Sequence, residues 1–357
     1  MHIPDGYLSP STCAVMYVGA AAGWYAALKR LKRVLITRMV PLISVFAAFA
    51  FVVMMFNIPL PGGTTGHALG VTAAAIVLGP SGAVLAISIA IAIQALFFGD
   101  GGILTLGANC LNMAIVGSVV AYAGYRAVAG TAAPTSRRRV IAAGVAGYLA
   151  ANASGLASAV ELGIQPLLFH NAQGAPLYAP YPLRIAIPAI MIGHLTFAGL
   201  AEAVLSAGIV AYLQASDPGL LEVALGSVSA EGEKTAGGGQ RWNLLRRLWL
   251  VVAMLTLLAP LGILAAGTAW GEWSRTELTQ HASHPAIGGG SSMSASAGLQ
   301  KLTELWTAPF PGYAPKFVKS PSFGYVLSAM FGVGLLLGGS LVLQSWLDRR
   351  RSTRPLG

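Results

Sequence analysis

Residues 1–33 read MHIPDGYLSPSTCAVMYVGAAAGWYAALKRLKR. A lead punctuated by Pro4, Gly6 and Pro10 gives way to the apolar run 11–28, which stops at Lys29, Arg30, Lys32 and Arg33. An apolar run of that length closed by a basic cluster predicts a membrane-spanning helix, with the Lys and Arg excess marking its cytoplasmic end. Residues 1–10 then lie outside. No basic segment precedes the run, so no cleavable signal peptide is expected and the N-terminus stays on the mature chain.

The rest of the chain repeats the pattern. Of 357 residues 55% are hydrophobic and only 10% charged, and the mean hydropathy is +0.68. Soluble domains carry about 25% charge, so the reading is an all-α, polytopic integral membrane protein of the cell inner (plasma) membrane, with the lipid bilayer as its solvent. Residues 39–57 return outward to a loop ending at His67. A short descending helix is expected from Ala68 to Gly79, broken by Gly79-Pro80-Ser81-Gly82, and residues 83–98 ascend. The loop Phe98-Gly99-Asp100-Gly101-Gly102 leads to a span at 107–125, another at 140–160, an outer loop at 161–182 and a long seventh helix at 183–214. The polar stretch 215–245 reads as a cytoplasmic linker. Two further spans, 246–267 and 322–346, flank an outer segment 268–321. On this alternation 17 of the 22 Lys and Arg residues fall inside, leaving Arg184, Arg275, Lys301, Lys316 and Lys319 outside. The asymmetry supports nine helices with an extracytoplasmic N-terminus and a cytoplasmic C-terminus. It also accounts for the net charge of +10 without nucleic acid as a partner.

The chemistry sits at the first two residues. The α-amine of Met1, the amide nitrogen of His2 and its Nδ1 can close adjacent five- and six-membered chelate rings on one metal ion. Three nitrogens in a plane leave one corner open, the geometry of Ni(II) and Cu(II). All three donors must give up protons. The plain alternative is an exposed histidine on a frayed terminus. The topology places His67, flanked by glycine and threonine, on the same outer side, where its imidazole can take the open corner; otherwise it is an interfacial histidine. No G-x-x-x-x-G-K-[ST] loop, H-E-x-x-H or G-x-S-x-G occurs, so no ATPase or hydrolase motif is present and the chain is not read as an enzyme.

MHIPDGYLSP, GTTGHALG and GDGGILTLGANCLNM together resemble the CbiM/NikM family. These are substrate-binding S components of energy-coupling-factor (ECF) cobalt and nickel transporters. The resemblance covers about residues 1–220 and implies a seven-helix metal-binding module (M component) at 1–214. It implies a metal site on Met1, His2 and His67. Residues 246–357 resemble a two-helix N component fused behind the 215–245 linker, an arrangement closer to NikMN systems than to cobalt systems. The resemblance therefore implies Ni²⁺, with Co²⁺ as the alternative, captured outside as transported substrate. It implies a transmembrane coupling (T) protein and two ABC ATPase subunits as partners. A non-transporting metal sensor and a membrane metalloenzyme are the more remote readings; a closed four-nitrogen square leaves no position for a catalytic water.

Other residues carry paired readings. Thr105 and Asn109 either orient His2 or His67 by hydrogen bonding to a metal-bound imidazole or cap the fifth helix. Asp5 either pins the terminus to the outer loops or is a turn residue. His194 and Glu202, ionisable groups inside the seventh helix, serve helix packing or transport chemistry. Glu161 and His170 are expected as solvated loop residues, and His281 and His284 as a secondary outer metal catch or as bystanders. Gly19 and Gly23 form a small-xxx-small pair for packing within the chain or against a partner helix. Cys13 and Cys110 read as buried small residues, with a disulfide between them the less supported option.

Overall fold

The computed structural model describes residues 1–31, 39–60, 64–216, 218, 221, 238–264, 297–302, 305–315 and 317–352. The linker is almost wholly outside these residues, as are His281 and His284.

Helix α1 (Pro10–Leu31) starts where the sequence dictates. Ser9 caps it, its Oγ accepting from the Thr12 N–H at 3.0 Å, and Pro10 occupies the first position, where no N–H is needed. Val15, Val18 and Tyr25 are exposed on its outer face. An apolar exposed face is what lipid requires. Its inner face approaches the fifth-span region closely: Gly19 and Gly23 lie against Leu111 and Ile115 of the same chain, and Gly107 packs on the backbone of Tyr17.

Helix α2 (Val40–Met54) is the central staff, with every residue from Leu42 to Met54 buried. A short antiparallel hairpin follows, β1 (Ile58–Leu60) with β2 (Thr64–Gly66), pairing Ile58 with Gly66. Helix α3 (Val71–Ile93) continues as a π-helical turn to Phe98. Gly79, at φ 70 and ψ 169, interrupts it ahead of Pro80. A straight helix over this segment would separate its ends by about 40 Å. Yet His67, before it, and Asp100, after it, both meet His2. The chain therefore reverses at Gly79-Pro80, and α3 is two antiparallel limbs, as the break in the sequence predicts.

Helix α4 (Leu106–Asn109) runs through a π-helical stretch into α5 (Gly117–Ala129). Then come α6 (Arg137–Leu168), α7 (Leu183–Gly193) and, after the π-helical turn His194–Ala198, α8 (Gly199–Ser216). The C-terminal module contributes α9 (Gly238–Leu258), α10 (Ala297–Leu302) and α11 (Pro321–Ser352). Among the described residues seven helical segments are long and apolar enough to cross a membrane; α2 is apolar but shorter, and α3 with its π turn counts as one of the seven. The chain is a multi-pass membrane protein.

One expectation is corrected. Residues 161–168 continue α6 rather than forming a loop, and Glu161 is buried, its Oε2 accepting from Asn112 Nδ2 at 2.9 Å. A carboxylate with a hydrogen-bonding partner on the neighbouring helix can stay inside the bundle. His170 is exposed. Cys13 and Cys110 are both buried free thiols.

Candidate metal centre

One end of the bundle gathers the N-terminal lead, β2, the loop after α3 and the start of α4. The lead is folded into this end with little exposure: Met1, Ile3, Asp5, Tyr7 and Leu8 are all buried. Backbone and side chain both fix it. The Met1 amine donates to the Thr65 carbonyl at 2.6 Å. Asn109 accepts from the Ile3 N–H at 2.8 Å and donates to the Ile3 carbonyl at 3.0 Å. Thr105 Oγ1 donates to the same carbonyl at 2.5 Å. The Asp5 carboxylate accepts from the N–H groups of Ile103 and Thr105, at 3.0 and 3.2 Å. Asp5 thus ties the lead to the second loop rather than serving as a turn residue alone. Thr105 and Asn109 hold the residue next to His2; they do not reach an imidazole, and Thr105 makes no side-chain cap on α4.

Between these anchors the imidazoles of His2 and His67 stack, ring centroids 5.0 Å apart and planes 27° from parallel. Nδ1 of His67 faces the Ala68 carbonyl at 3.1 Å, and its buried Nε2 has no hydrogen-bonding partner. A pinned Nδ1 with a vacant Nε2 is the arrangement of a ligating histidine. His2 Nδ1 lies 3.1 Å from Asp100 Oδ1, outside hydrogen-bonding geometry. Burial holds both imidazoles below the ordinary histidine pKa, His67 the further, with the nearby amine adding to the effect; for His2, Asp100 opposes it. Burial thus favours the neutral ring, the form that ligates metal. Burial also raises the Asp5 pKa, against the hydrogen bonds from Thr105 and Ile103.

His194 and Glu202 support this end from below. Both are fully buried. Glu202 Oε2 accepts from the N–H groups of Leu69 and Gly70 at 2.7 and 2.9 Å, and Oε1 from that of Thr72 at 3.3 Å. It caps the N-terminus of α3 from another helix, just beyond His67. Gly70 needs its left-handed φ of 68°, and a Cβ there would meet Phe49 at 2.7 Å. His194 Nδ1 faces the Ile190 carbonyl at 2.8 Å, leaving Nε2 buried and unpartnered.

Among the described residues no three His, Cys, Asp or Glu side chains converge as a metal cluster. The nitrogen donors at this end are the amine of Met1, the backbone amide of His2 and the two imidazoles.

The description "Cobalt uptake substrate-specific transmembrane region", that of the CbiM family, matches residues 2–220. The chain belongs to the CbiM family. A PDGLE domain matches residues 246–349. This CbiM-family chain is 52% identical to the fused nickel transport protein NikMN of Rhodobacter capsulatus, over 95% of its own length and 96% of that protein. It is 39% identical to the probable fused nickel transport protein LarMN of Lactiplantibacillus plantarum, over 94% and 95% of the two chains. The crystal structure of a truncated transition metal transporter, 49% identical, superposes with a TM-score of 0.57 and covers 60% of this chain and 98% of that one.

The sequence does not single out Asp100, Gln94 or Tyr313. Gln94, a fully buried amide in an apolar span, and Asp100, one carboxylate among glycines, each carry a visible signal. Thr65 acts through its backbone carbonyl and carries none.

Proposed function

We propose that this chain is the substrate-specific membrane component of an ECF-type importer, capturing Ni²⁺ outside the cell for ATP-driven uptake. One observation carries the reading: the imidazoles of His2 and His67 stack, the Met1 amine is held on the carbonyl of Thr65, two residues before His67, and the lead is locked there by Asn109 and Asp5. At a metal–nitrogen distance of about 2.0 Å, imidazoles on adjacent corners of a square would have centroids about 4.5 Å apart. The observed separation is 5.0 Å, and the two rings turn to aim their nitrogens at the ion. Met1 N, the His2 amide and Nδ1, and His67 Nε2 are the proposed donors, and the ion displaces their protons on binding. Four nitrogens in a plane suit Ni²⁺. The nickel names of relatives matched along nearly the whole chain favour the same ion, while the family description favours Co²⁺.

In this reading residues 1–214 bind the metal, 246–357 form the accessory module, and the metal-binding end faces outward. A transmembrane coupling protein and two ATPase subunits supply the energy that the chain's own motifs do not. The test is accumulation of ⁶³Ni²⁺ by cells expressing the chain with and without those three partners, with Co²⁺ as competitor. Uptake dependent on the ATPases supports the reading. Binding without accumulation favours a sensor, and a spectrum showing exchangeable metal-bound water favours an enzyme.

A further inference from the structure

Helices α9 and α11 both lie along α2, and they do not close on it over their whole length. Near the metal-binding end the contact is tight: Tyr325 of α11 donates to the Met55 carbonyl at 2.8 Å, and a Cβ at Gly332 would run into the Phe51 ring. Two turns further on, a Cβ at Gly339 would meet nothing within 4 Å. Gly339 lines a cavity of about 350 Å³ together with Leu28 of α1, Ile43 of α2, Ile89 of α3 and Leu336. A second cavity of about 350 Å³ lies on the opposite face of α2, lined by Phe49, Leu205 and Gly208 of α8, and Val252 of α9. Gly208, like Gly339, faces open space.

Volume and shape select the occupant. The first cavity runs along residues 335–343 of α11 and 85–93 of α3, a length of about 12 Å at 1.5 Å per residue. Its mean cross-section is therefore about 30 Å², against about 80–110 Å² for a helix 10–12 Å across. A helix does not fit inside; one hydrocarbon chain does. The two hydroxyls on its walls are spent on their own helices, Ser44 Oγ donating to the Val40 carbonyl at 2.9 Å and Ser340 Oγ to that of Leu337 at 2.7 Å.

Charge selects the head group. Lys29 and Arg30 are exposed and adjoin Leu28 and Leu31, which line the first cavity. Arg246 and Arg247 are exposed and adjoin Leu248, which lines the second. Both pairs lie at the end of the bundle away from the metal centre. Lys29 Nζ sits over the Tyr25 ring, 5.9 Å from its centroid, and among the described residues no carboxylate pairs with any of the four cations.

We propose that each cavity takes one acyl chain of an anionic phospholipid, with its phosphate on the adjoining basic pair. Two such lipids fill the seams between α2 and the helices of the C-terminal module. Each cation near an anionic leaflet strengthens the attraction roughly five-fold.

The test uses the full-length chain reconstituted in nanodiscs of equal phosphatidylcholine and phosphatidylglycerol, then released into mild detergent for native mass spectrometry. Two phosphatidylglycerols retained per chain are expected, each enriched about thirty-fold over phosphatidylcholine, the scale of two cations. Gly339→Leu fills the first cavity and Gly208→Leu the second; each should retain one lipid, and their combination none. Leucine enters open space there, in helices that glycine disfavours, so these variants should melt as the parent does in phosphatidylcholine alone. Lys29→Gln with Arg30→Gln leaves the first cavity open, with Lys32 and Arg33 still marking that end of α1; it should abolish the head-group preference of one of the two lipids. Full retention in both leucine variants places the lipids elsewhere and leaves the seams to a partner helix, which overturns the proposal, as does retention at the bulk lipid ratio. Should a leucine variant not fold, the charge variant decides: an undiminished preference for phosphatidylglycerol overturns the proposal.

Discussion

The side-chain amide of Asn109 closes both hydrogen-bonding positions of Ile3, accepting its N–H at 2.8 Å and donating to its carbonyl at 3.0 Å. A strand would normally satisfy a segment in this way; here one amide does it, and the residue it grips is next to His2. Both groups are buried, and an unmade hydrogen bond at a buried group costs about 1–3 kcal/mol. Asn109→Ala should therefore destabilise the protein by about 2–4 kcal/mol, read as a lowered midpoint in a thermal melt, and weaken Ni²⁺ binding more than ten-fold. Asn109→Asp, which keeps the acceptor and loses the donor, should fall between.

Glu202 carries a comparable burden at the other histidine. Its carboxylate meets three backbone N–H groups at the start of α3, from 2.7 to 3.3 Å. Negative charge suits that helix end. Glu202→Ala leaves those groups without the acceptor and should cost about 3 kcal/mol, while Glu202→Gln retains one acceptor oxygen and should cost less than half of that. A larger loss of Ni²⁺ affinity in Glu202→Ala than in a surface variant of equal melting temperature would show that the cap positions His67.

Close helix approach supplies a third prediction. A Cβ at Gly107 would lie 2.7 Å from backbone atoms of Tyr17, so Gly107→Ala must move α1 away from α4. A Cβ at Gly19 would meet only Leu111 methyls at 3.4 Å. Gly107→Ala should cost about 1–3 kcal/mol by overpacking; Gly19→Ala should be close to neutral. Paired melts of the two variants check this, and equal effects would contradict it.

Much of the membrane architecture could be read from local chemistry. Ser9-Pro10 starts α1 because one side chain caps while the other needs no N–H, and Gly79-Pro80 breaks α3 because a left-handed residue followed by proline cannot continue a helix. Met1, His2 and His67 are grouped in the sequence by the side of the membrane on which the topology puts them and by the resemblance to the CbiM/NikM family. Glu161 reads as a loop residue because a carboxylate five residues before Pro166 looks like a loop, and its partner Asn112 lies on another helix. Asp100 and Tyr313, 213 residues apart, show the same limit: a single long-range hydrogen bond leaves no periodicity in either segment. The cap of α3 by Glu202 is of that kind too, an ionisable residue whose presence was visible and whose partner was not.

The measurement that bears most directly on the account is competitive Ni²⁺ and Co²⁺ binding to purified protein with an authentic Met1 terminus, beside a variant with one alanine inserted between Met1 and His2. The insertion moves His2 out of the five- and six-membered ring sequence and leaves the helices untouched. The account predicts one tightly bound Ni²⁺ in the parent, preferred over Co²⁺, and loss of that site in an insertion variant that melts normally. Undiminished tight binding in the folded variant would place the metal elsewhere and contradict the account.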